Sequence, residues 1–333
     1  MRQAFDIRSE QPLVTVITLT YNHAPYIRQC LDSILAQETD FPFEMIVHDD
    51  ASTDGTSAIV AEYAEKYPYV IVPVLQKENQ YSKGKGLGRF ILPLIRGKYR
   101  ASCEGDDYWH NPNKLSLQVE YLEAHPDVGL VHGDVNSFTQ QTGLLSYNCR
   151  KGQSIVCTED DPHLSWWILL GTYPVWTCTV CVRSDLELKV MDADPYVFGQ
   201  NPFKMGDVQR WFEISRIAKV HYIPESLSTY RFLTESASHS NNALQRLSWT
   251  MSCVDLREYY VHKYECPTEM RRMIMAHWCH KLLASAYVAG DRQVARRAIT
   301  KMLENGVRPS IQDRFLKFGV CAPGRWITRP MFF

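Results

Sequence analysis

The chain has no run of about 18 apolar residues, so no membrane-spanning helix is expected. Its first stretch, MRQAFDIRSEQP, lacks the apolar core of a secretory signal, and a cytoplasmic location is expected by default. Charge of one sign is not in excess: 36 Lys and Arg stand against 37 Asp and Glu, a formal net charge of −1. That balance gives no global electrostatic case for a nucleic-acid partner. Metal-type cysteine pairing is scarce. The ten cysteines are scattered, as expected of reduced, mostly buried thiols. Cys178 and Cys181 form one C-x-x-C without a second, and YPVWTCTVCVRSD around them reads as a strand that sends the two thiols to opposite faces. His277 and His280 in HWCH sit in a helical pattern without a third ligand nearby, which reads as packing. No G-K-[ST] phosphate loop is present. Gly84, Gly86 and Gly88 alternate, which is not the G-x-G-x-x-G spacing of a dinucleotide site.

What is present is material for a sizeable core. The 333 residues are 45% hydrophobic and 22% charged, enough for one large domain or two smaller ones. LVTVITLT (13–20) is a β-branched run that reads as a buried strand. After YNHAP, the residues Ile27, Cys30, Leu31, Ile34 and Leu35 form the stripe of an amphipathic helix, with Pro25 suited to its first turn. FEMIVHDD is a second strand, ASTDGT a turn rich in capping residues, TSAIVAEYAEKY a helix and YVIVPVLQ a third strand. This β-α-β-α-β order predicts a parallel sheet with right-handed crossovers. KYRASC supplies a fourth strand. Ligands bind at the C-terminal edge of such sheets, and three polar clusters gather there: TYN, DDAST and CEGDD.

The last cluster places Glu104, Asp106 and Asp107 within four positions. Carboxylates so close repel one another, and either a cation or solvent must hold them. Lys83, Lys85 and Arg89 make the glycine-containing loop before the fourth strand basic, which suits either a diphosphate or plain solvation. Its glycines let backbone approach a ligand or another segment.

Taken together, VTVITLTYN, HDDASTDGT, SKGKGLGR, CEGDDYW with NPNKL, GDVQRWFEIS and IPESLSTYR resemble a family-2 glycosyltransferase of the GT-A fold over roughly residues 12–235. The resemblance implies a Rossmann-like, mostly parallel sheet flanked by helices. A catalytic domain over 1–240 is expected, with a nucleotide-sugar half (about 12–110) and an acceptor half (about 111–240). It implies an inverting transfer from a nucleotide sugar, most simply a UDP-sugar, to a hydroxyl of a glycan or lipid-linked acceptor in cell-surface polysaccharide or glycolipid synthesis. By position, Thr20, Tyr21, Asn22, Asp50 and Ser52 grip base and ribose, and Lys83 and Arg89 lie toward the diphosphate. Asp106 becomes the ligand of a Mn²⁺ or Mg²⁺ ion and Glu104 faces the nucleotide or a metal-bound water. Many relatives have Asp where Glu104 stands. Asp107 supports the metal or contacts the donor sugar; Trp109 either floors the sugar pocket or packs in the core. Asp207 is placed as the general base, with Asp192 and Asp194 of MDADP as its rivals. His239 is either a further metal ligand or a surface residue, and Arg231 either contacts the diphosphate or fixes its loop.

From about residue 241 to 333 the pattern turns helical. Three helices are expected, the last two joined through AGD as a hairpin, forming an extension that shapes the acceptor site or an oligomer contact. After Asp313 come Arg314, Lys317, Arg325 and Arg329 with no acid, interleaved with aromatics. Residues 314–333 therefore either touch an anionic membrane surface or dock on their own domain. Two other functions share part of this pattern. A sugar nucleotidyltransferase needs a Gly-rich, Arg-containing loop after the first strand, and TYNHAPYIR is not one. A non-catalytic homologue that binds nucleotide or glycan is disfavoured by the intact Asp106 and Asp207.

Overall fold

A computed structural model of the chain describes residues 11–84, 86–150, 160–200, 202–234 and 241–321. Lys85, His239 and residues 322–333 lie outside the described residues. Two compact units are present. The first comprises Met1–Ser165, Pro174–Pro202 and Arg210–Phe232; the second comprises Trp166–Tyr173, Phe203–Gln209 and Leu233–Phe333. Asp207 is thus counted with the second unit, and the boundary falls inside a helix.

The first unit opens as its periodicity predicts. β1 (Val14–Thr20), α1 (Ile27–Leu35), β2 (Phe43–Asp49), α2 (Thr56–Lys66) and β3 (Ile71–Leu75) alternate. A short basic segment with the one-turn helix α3 (Gly88–Ile91) leads to β4 (Tyr99–Ser102) and β5 (Tyr108–Trp109). Then follow α4 (Lys114–Ala124), β6 (Val128–Thr139), β7 (Leu144–Ser146), α5 (Leu164–Leu170), β8 (Cys181–Arg183), α6 (Ser184–Ala193), α7 (Val208–Ile217) and β9 (Lys219–Phe232). Among the described residues the sheet has nine strands in the order β3-β2-β1-β4-β8-β6-β9-β5, with β7 paired to β6. The β3-β2-β1-β4 half is parallel throughout. Antiparallel pairing enters with β8, β7 and β5, while β6 and β9 run parallel to each other.

Side-chain alternation explains the layers. Val14, Val16, Met45 and Val47 point to one face and pack with Ile27, Leu31 and Ile34 of α1 and Val60 of α2. Ile17 and Ile46, one residue out of phase, point to the other face with Ile91. A fully buried Leu or Ile contributes about 1.5–3 kcal/mol, so α1 is held by packing. It begins at Ile27, two residues past Pro25. Close packing also fixes the start of β4: a Cβ on Gly97 would meet the Thr15 backbone nitrogen at 2.4 Å.

Two expectations change here. YPVWTCTVCVRSD is a strand only over Cys181–Arg183; Thr177–Thr179 form a 3₁₀ turn instead. Cys178 and Cys181 are both buried, as packing residues are. Gly84, of the alternating glycines, closes a turn in the left-handed region at φ 68°, and nothing lies within 4 Å of its Cβ position. Among the described residues no other segment approaches it closely, so of the two expectations for this glycine only approach to a ligand is left.

The second unit contains α8 (Ala243–Lys263), α9 (Thr268–Ala289), α10 (Arg292–Glu304) and α11 (Ile311–Cys321). The AGD hairpin forms: Gly290 ends α9 at φ 72°, and Asp291 caps α10 by accepting from the Gln293 and Val294 N–H groups at 2.9 Å each. The fourth helix was not expected. Ser310 and Asp313 build a reciprocal cap at its start, with Asp313 N–H on Ser310 Oγ at 3.1 Å and Ser310 N–H on Asp313 Oδ2 at 2.8 Å. His280 of α9 meets Asp313 Oδ1 at 2.7 Å, so HWCH contributes to helix packing. Among the described residues no helix is long and apolar enough to cross a membrane.

Candidate active site at the strand ends

Three strand ends make the site in the first unit. Parallel register sets Thr20 beside Asp49 and Ile17 beside Ser102. Beyond β4 the chain stays alongside β1, because Gly105 N–H still donates to the Leu19 carbonyl at 2.9 Å. Glu104, Asp106 and Asp107 are thereby delivered next to Thr20–His23.

The two nucleotide-side loops are stitched together. Asn22 N–H donates to Ser52 Oγ at 2.8 Å, and Thr53 N–H donates to Asn22 Oδ1 at 2.8 Å. His23 N–H reaches Thr56 Oγ1 and Ala24 N–H reaches Asp54 Oδ2, both at 2.9 Å. Asn22 and Ala51 take left-handed conformations, φ 56° and 63°, to make these contacts. Asp49 is consumed inside its own loop, accepting from Ser52 N–H, the Ser52 hydroxyl and the Ser57 hydroxyl. Asp50 is buried and accepts from Gln80 N–H at 2.8 Å on one oxygen and Tyr81 N–H at 3.0 Å on the other. Each oxygen retains a lone pair for a further donor. Tyr21 is 44% exposed, its ring open to stacking.

The basic loop makes local pairs. Lys83 meets Glu78 at the surface, and Arg89 Nη2 donates to Gln80 Oε1 at 3.3 Å while its guanidinium lies 4.6 Å from the Phe90 ring centre. An exposed pair such as Lys83–Glu78 is worth about 1 kcal/mol or less, so a stronger anion can displace Glu78.

The carboxylate turn is buried progressively. The Asp106 side chain is 17% exposed and lies 3.9 Å from His23 Nδ1. Asp107 is buried, and burial first, then Asp106 and Glu104, pushes its carboxyl well above the usual range. Arg231 N–H donates to Asp107 Oδ1 at 2.8 Å and Arg231 Nε donates to the Asp106 carbonyl at 2.7 Å. Trp109 has core surroundings: it is 3% exposed, its indole N–H donates to the Cys178 carbonyl at 2.9 Å, and Lys114 Nζ lies 4.1 Å from its ring centre. Lys114 itself is buried, donates to Gln118 and the Val180 carbonyl, and is lowered by burial to about 8.

These residues fit a divalent cation that shares its ligands with a diphosphate. No group of three or more His, Cys, Asp or Glu among the described residues could hold a metal alone. Hard cations in phosphate sites commonly take only one or two protein carboxylates. Thr20 Oγ1 and His23 Nδ1, both at Gly105, are buried without a hydrogen-bond partner, and the neighbouring carboxylates repel one another. A cation with a polar ligand would answer both. His23 was not singled out in the sequence; its place three residues past the end of β1 was the available signal.

In the second unit, Asp207 stands just before α7 and is half-buried, with Val208 N–H on its Oδ1 at 2.8 Å. Arg257 is buried there. Burial lowers its guanidinium to about 10, and the Cys253 and Asp207 charges oppose that. In the first unit, Asp194 of MDADP accepts from Val197 N–H at 3.1 Å and so caps the helical turn that follows it.

A sheet whose parallel strands end in polar clusters, flanked by helices, is a GT-A architecture, and comparison with known proteins agrees. The model of Glycosyl transferase family 2 matches residues 15–155, and the chain belongs to that family. A Mycobacterium tuberculosis protein, named only as uncharacterized, is 46% identical over 249 residues, 71% of this chain. The alignment covers 63% of that relative's length. Among solved structures, Staphylococcus aureus TarS 1-349 in complex with UDP-GlcNAc has a TM-score of 0.57 at 18% identity, covering 92% of this chain and 90% of TarS. The mannosyltransferase PcManGT from Pyrobaculum calidifontis, in complex with GDP-Man and Mn²⁺, has a TM-score of 0.54 at 20% identity, covering 94% and 85%. Both share the GT-A fold with this chain.

Proposed function

We propose that the chain is an inverting glycosyltransferase that moves a hexosyl or N-acetylhexosaminyl group from a UDP-sugar to an acceptor hydroxyl. The observation that carries the reading is the meeting of Thr20–His23, Asp50–Ser52 and Glu104–Asp107 on one edge of the parallel strands. Tyr21 stacks on the base, Asp50 accepts from its imide N–H, and Asn22 and Ser52 hold the loop that frames the ribose. Lys83 and Arg89 meet the diphosphate. Asp106 holds Mn²⁺ or Mg²⁺, with Glu104 toward the nucleotide and Asp107 beneath. When bound, the cation offsets charge that develops on the departing diphosphate. Asp207 takes the proton from the acceptor hydroxyl as its oxygen attacks the anomeric carbon. Both TarS and PcManGT were solved with nucleotide sugars, and PcManGT with Mn²⁺, which supports the donor class and the metal. A glycan or lipid-linked acceptor, a part in cell-surface polysaccharide synthesis and a cytoplasmic placement belong to the same reading.

The test is a thermal-shift panel of UDP-, GDP-, CMP- and dTDP-sugars with and without Mn²⁺. Binding at 100 times Kd adds about 2.7 kcal/mol of stability, which a melting curve resolves. The expected result is a rise with the UDP-sugar that grows with Mn²⁺ and loses that increment in Asp106→Asn. Asp207→Asn should keep the shift and lose transfer. A flat panel overturns the reading, and retained turnover in Asp207→Asn removes Asp207 from the base role.

A further inference from the structure

Helix α11 has two apolar faces. Leu316 and Val320 are buried, and Gly319 lies so close to Tyr287 of α9 that a Cβ there would come within 2.6 Å of its ring. Arg292 of α10 donates to the Val320 carbonyl at 3.1 Å. That inner face accounts for how the helix docks. The outer face is unaccounted for: Ile311 is 87% exposed, Phe315 53% and Phe318 70%. These are i, i+4 and i+7 positions, one side of a helix. Single exposed apolar residues are ordinary, but three large ones in one stripe mark an interaction surface.

Charge identifies the partner. Arg314 and Lys317 lie on the same helix, and its one acid, Asp313, is buried in contacts with His280 and Ser310. The cations of α11 therefore have no exposed carboxylate on their own helix. A second copy of this face would bring like charges together. An anionic lipid surface offers the complementary charge to Arg314 and Lys317 and an apolar boundary to the stripe. The sequence after Cys321 continues the composition, with Arg325, Trp326, Arg329, Phe332 and Phe333 and no acid.

We propose that the outer face of α11, with Ile311, Phe315 and Phe318 inserted and Arg314 and Lys317 at headgroup level, docks the protein on an anionic membrane surface. The contact is peripheral and reversible, because one short stripe with two cations is a weak anchor. This inference does not rest on the transferase reading.

The experiment is co-sedimentation of the full chain with vesicles of phosphatidylcholine alone or with about one third phosphatidylglycerol, at low and physiological salt. The wild type should sediment with the anionic vesicles only, and less at higher salt. Phe315→Ser/Phe318→Ser and Arg314→Gln/Lys317→Gln should each lower the partition coefficient by about tenfold or more, with unchanged melting temperature. Nucleotide-sugar thermal shifts should stay as in the wild type, which separates failure here from failure of the transferase reading. No sedimentation by the wild type overturns the proposal, as does equal binding to neutral vesicles. A wild-type dimer that Phe315→Ser/Phe318→Ser converts to monomer also overturns it, and assigns the face to self-association.

Discussion

Arg231 fastens the carboxylate turn to β9: its backbone N–H lies 2.8 Å from Asp107 Oδ1. Its guanidinium completes the brace, donating to the Asp106 carbonyl at 2.7 Å and to Gln140 and Gln29 at 2.6 Å each. The rings of Tyr26, Tyr108 and Phe138 surround it. Its donors are engaged by protein, which fits the loop-fixing alternative better than a diphosphate contact. Arg231→Met should cost about 1–3 kcal/mol, because three part-buried hydrogen bonds from a buried guanidinium are lost. Arg231→Lys cannot span all three and should lose more than half of that. Urea midpoints at constant m report both. An unchanged midpoint in Arg231→Met would remove the brace.

Gly105 is a second point on which the turn depends. A Cβ there would stand 2.6 Å from Thr20 Oγ1, 2.8 Å from Thr20 Cβ and 3.0 Å from His23 Nδ1. Thr20 is buried at a strand end and cannot yield without moving β1. Gly105→Ala should destabilise by about 1–3 kcal/mol and blunt the nucleotide-sugar thermal shift. Gly88→Ala is the control: its Cβ would meet Leu92 at an ordinary 3.5 Å, in a helix that prefers Ala. Equal behaviour of the two variants would show that the turn tolerates a side chain.

How much of this was legible depends on range. The stripe Ile27, Cys30, Leu31, Ile34 and the alternation Val14, Val16 against Ile17 are local patterns, and they place α1 and β1 correctly. The strand-end position of Asp50 and Asp106 follows from the same order. What joins them is long-range: Asn22 to Ser52, His23 to Thr56 and Arg231 to Asp107 are set by register, which sequence periodicity does not encode. Lys114 shows the limit most sharply. Lysine is ordinarily a surface residue, yet Lys114 of NPNKL is fully buried over Trp109. Helix α11 was missed for a different reason. Its residues are apolar on two faces, so they lack the single stripe by which a surface helix is recognised.

Ala51 marks strain that a substitution can release. It holds φ at 63° between Asp50 and Ser52. A left-handed L-residue costs about 1–2 kcal/mol, and Gly gives back roughly 0.5–1 of that as unfolded-chain entropy. Ala51→Gly should therefore raise stability by up to about 1 kcal/mol, read as a higher urea midpoint. Ala51→Val should lower it, because β-branching resists this region. A lower midpoint for Ala51→Gly would mean that the Ala51 methyl makes contacts worth more than the strain.

His132 of β6 is fully buried, and its acid limb of stability is predictable in sign. Burial first, then the Arg150 and His221 charges, pushes its pKa well below the ordinary 6.5. Below about pH 6.5 the unfolded chain takes up a proton that the folded one refuses. Unfolding then binds protons, so stability rises with pH across that window and is lost as pH falls from about 6.5 toward the depressed folded value. The slope contributed approaches about 1.4 kcal/mol per pH unit. Urea midpoints from pH 7 to 5 should fall more steeply for the wild type than for His132→Gln, which has no proton to gain. Parallel curves for the two proteins would assign the acid loss to other groups.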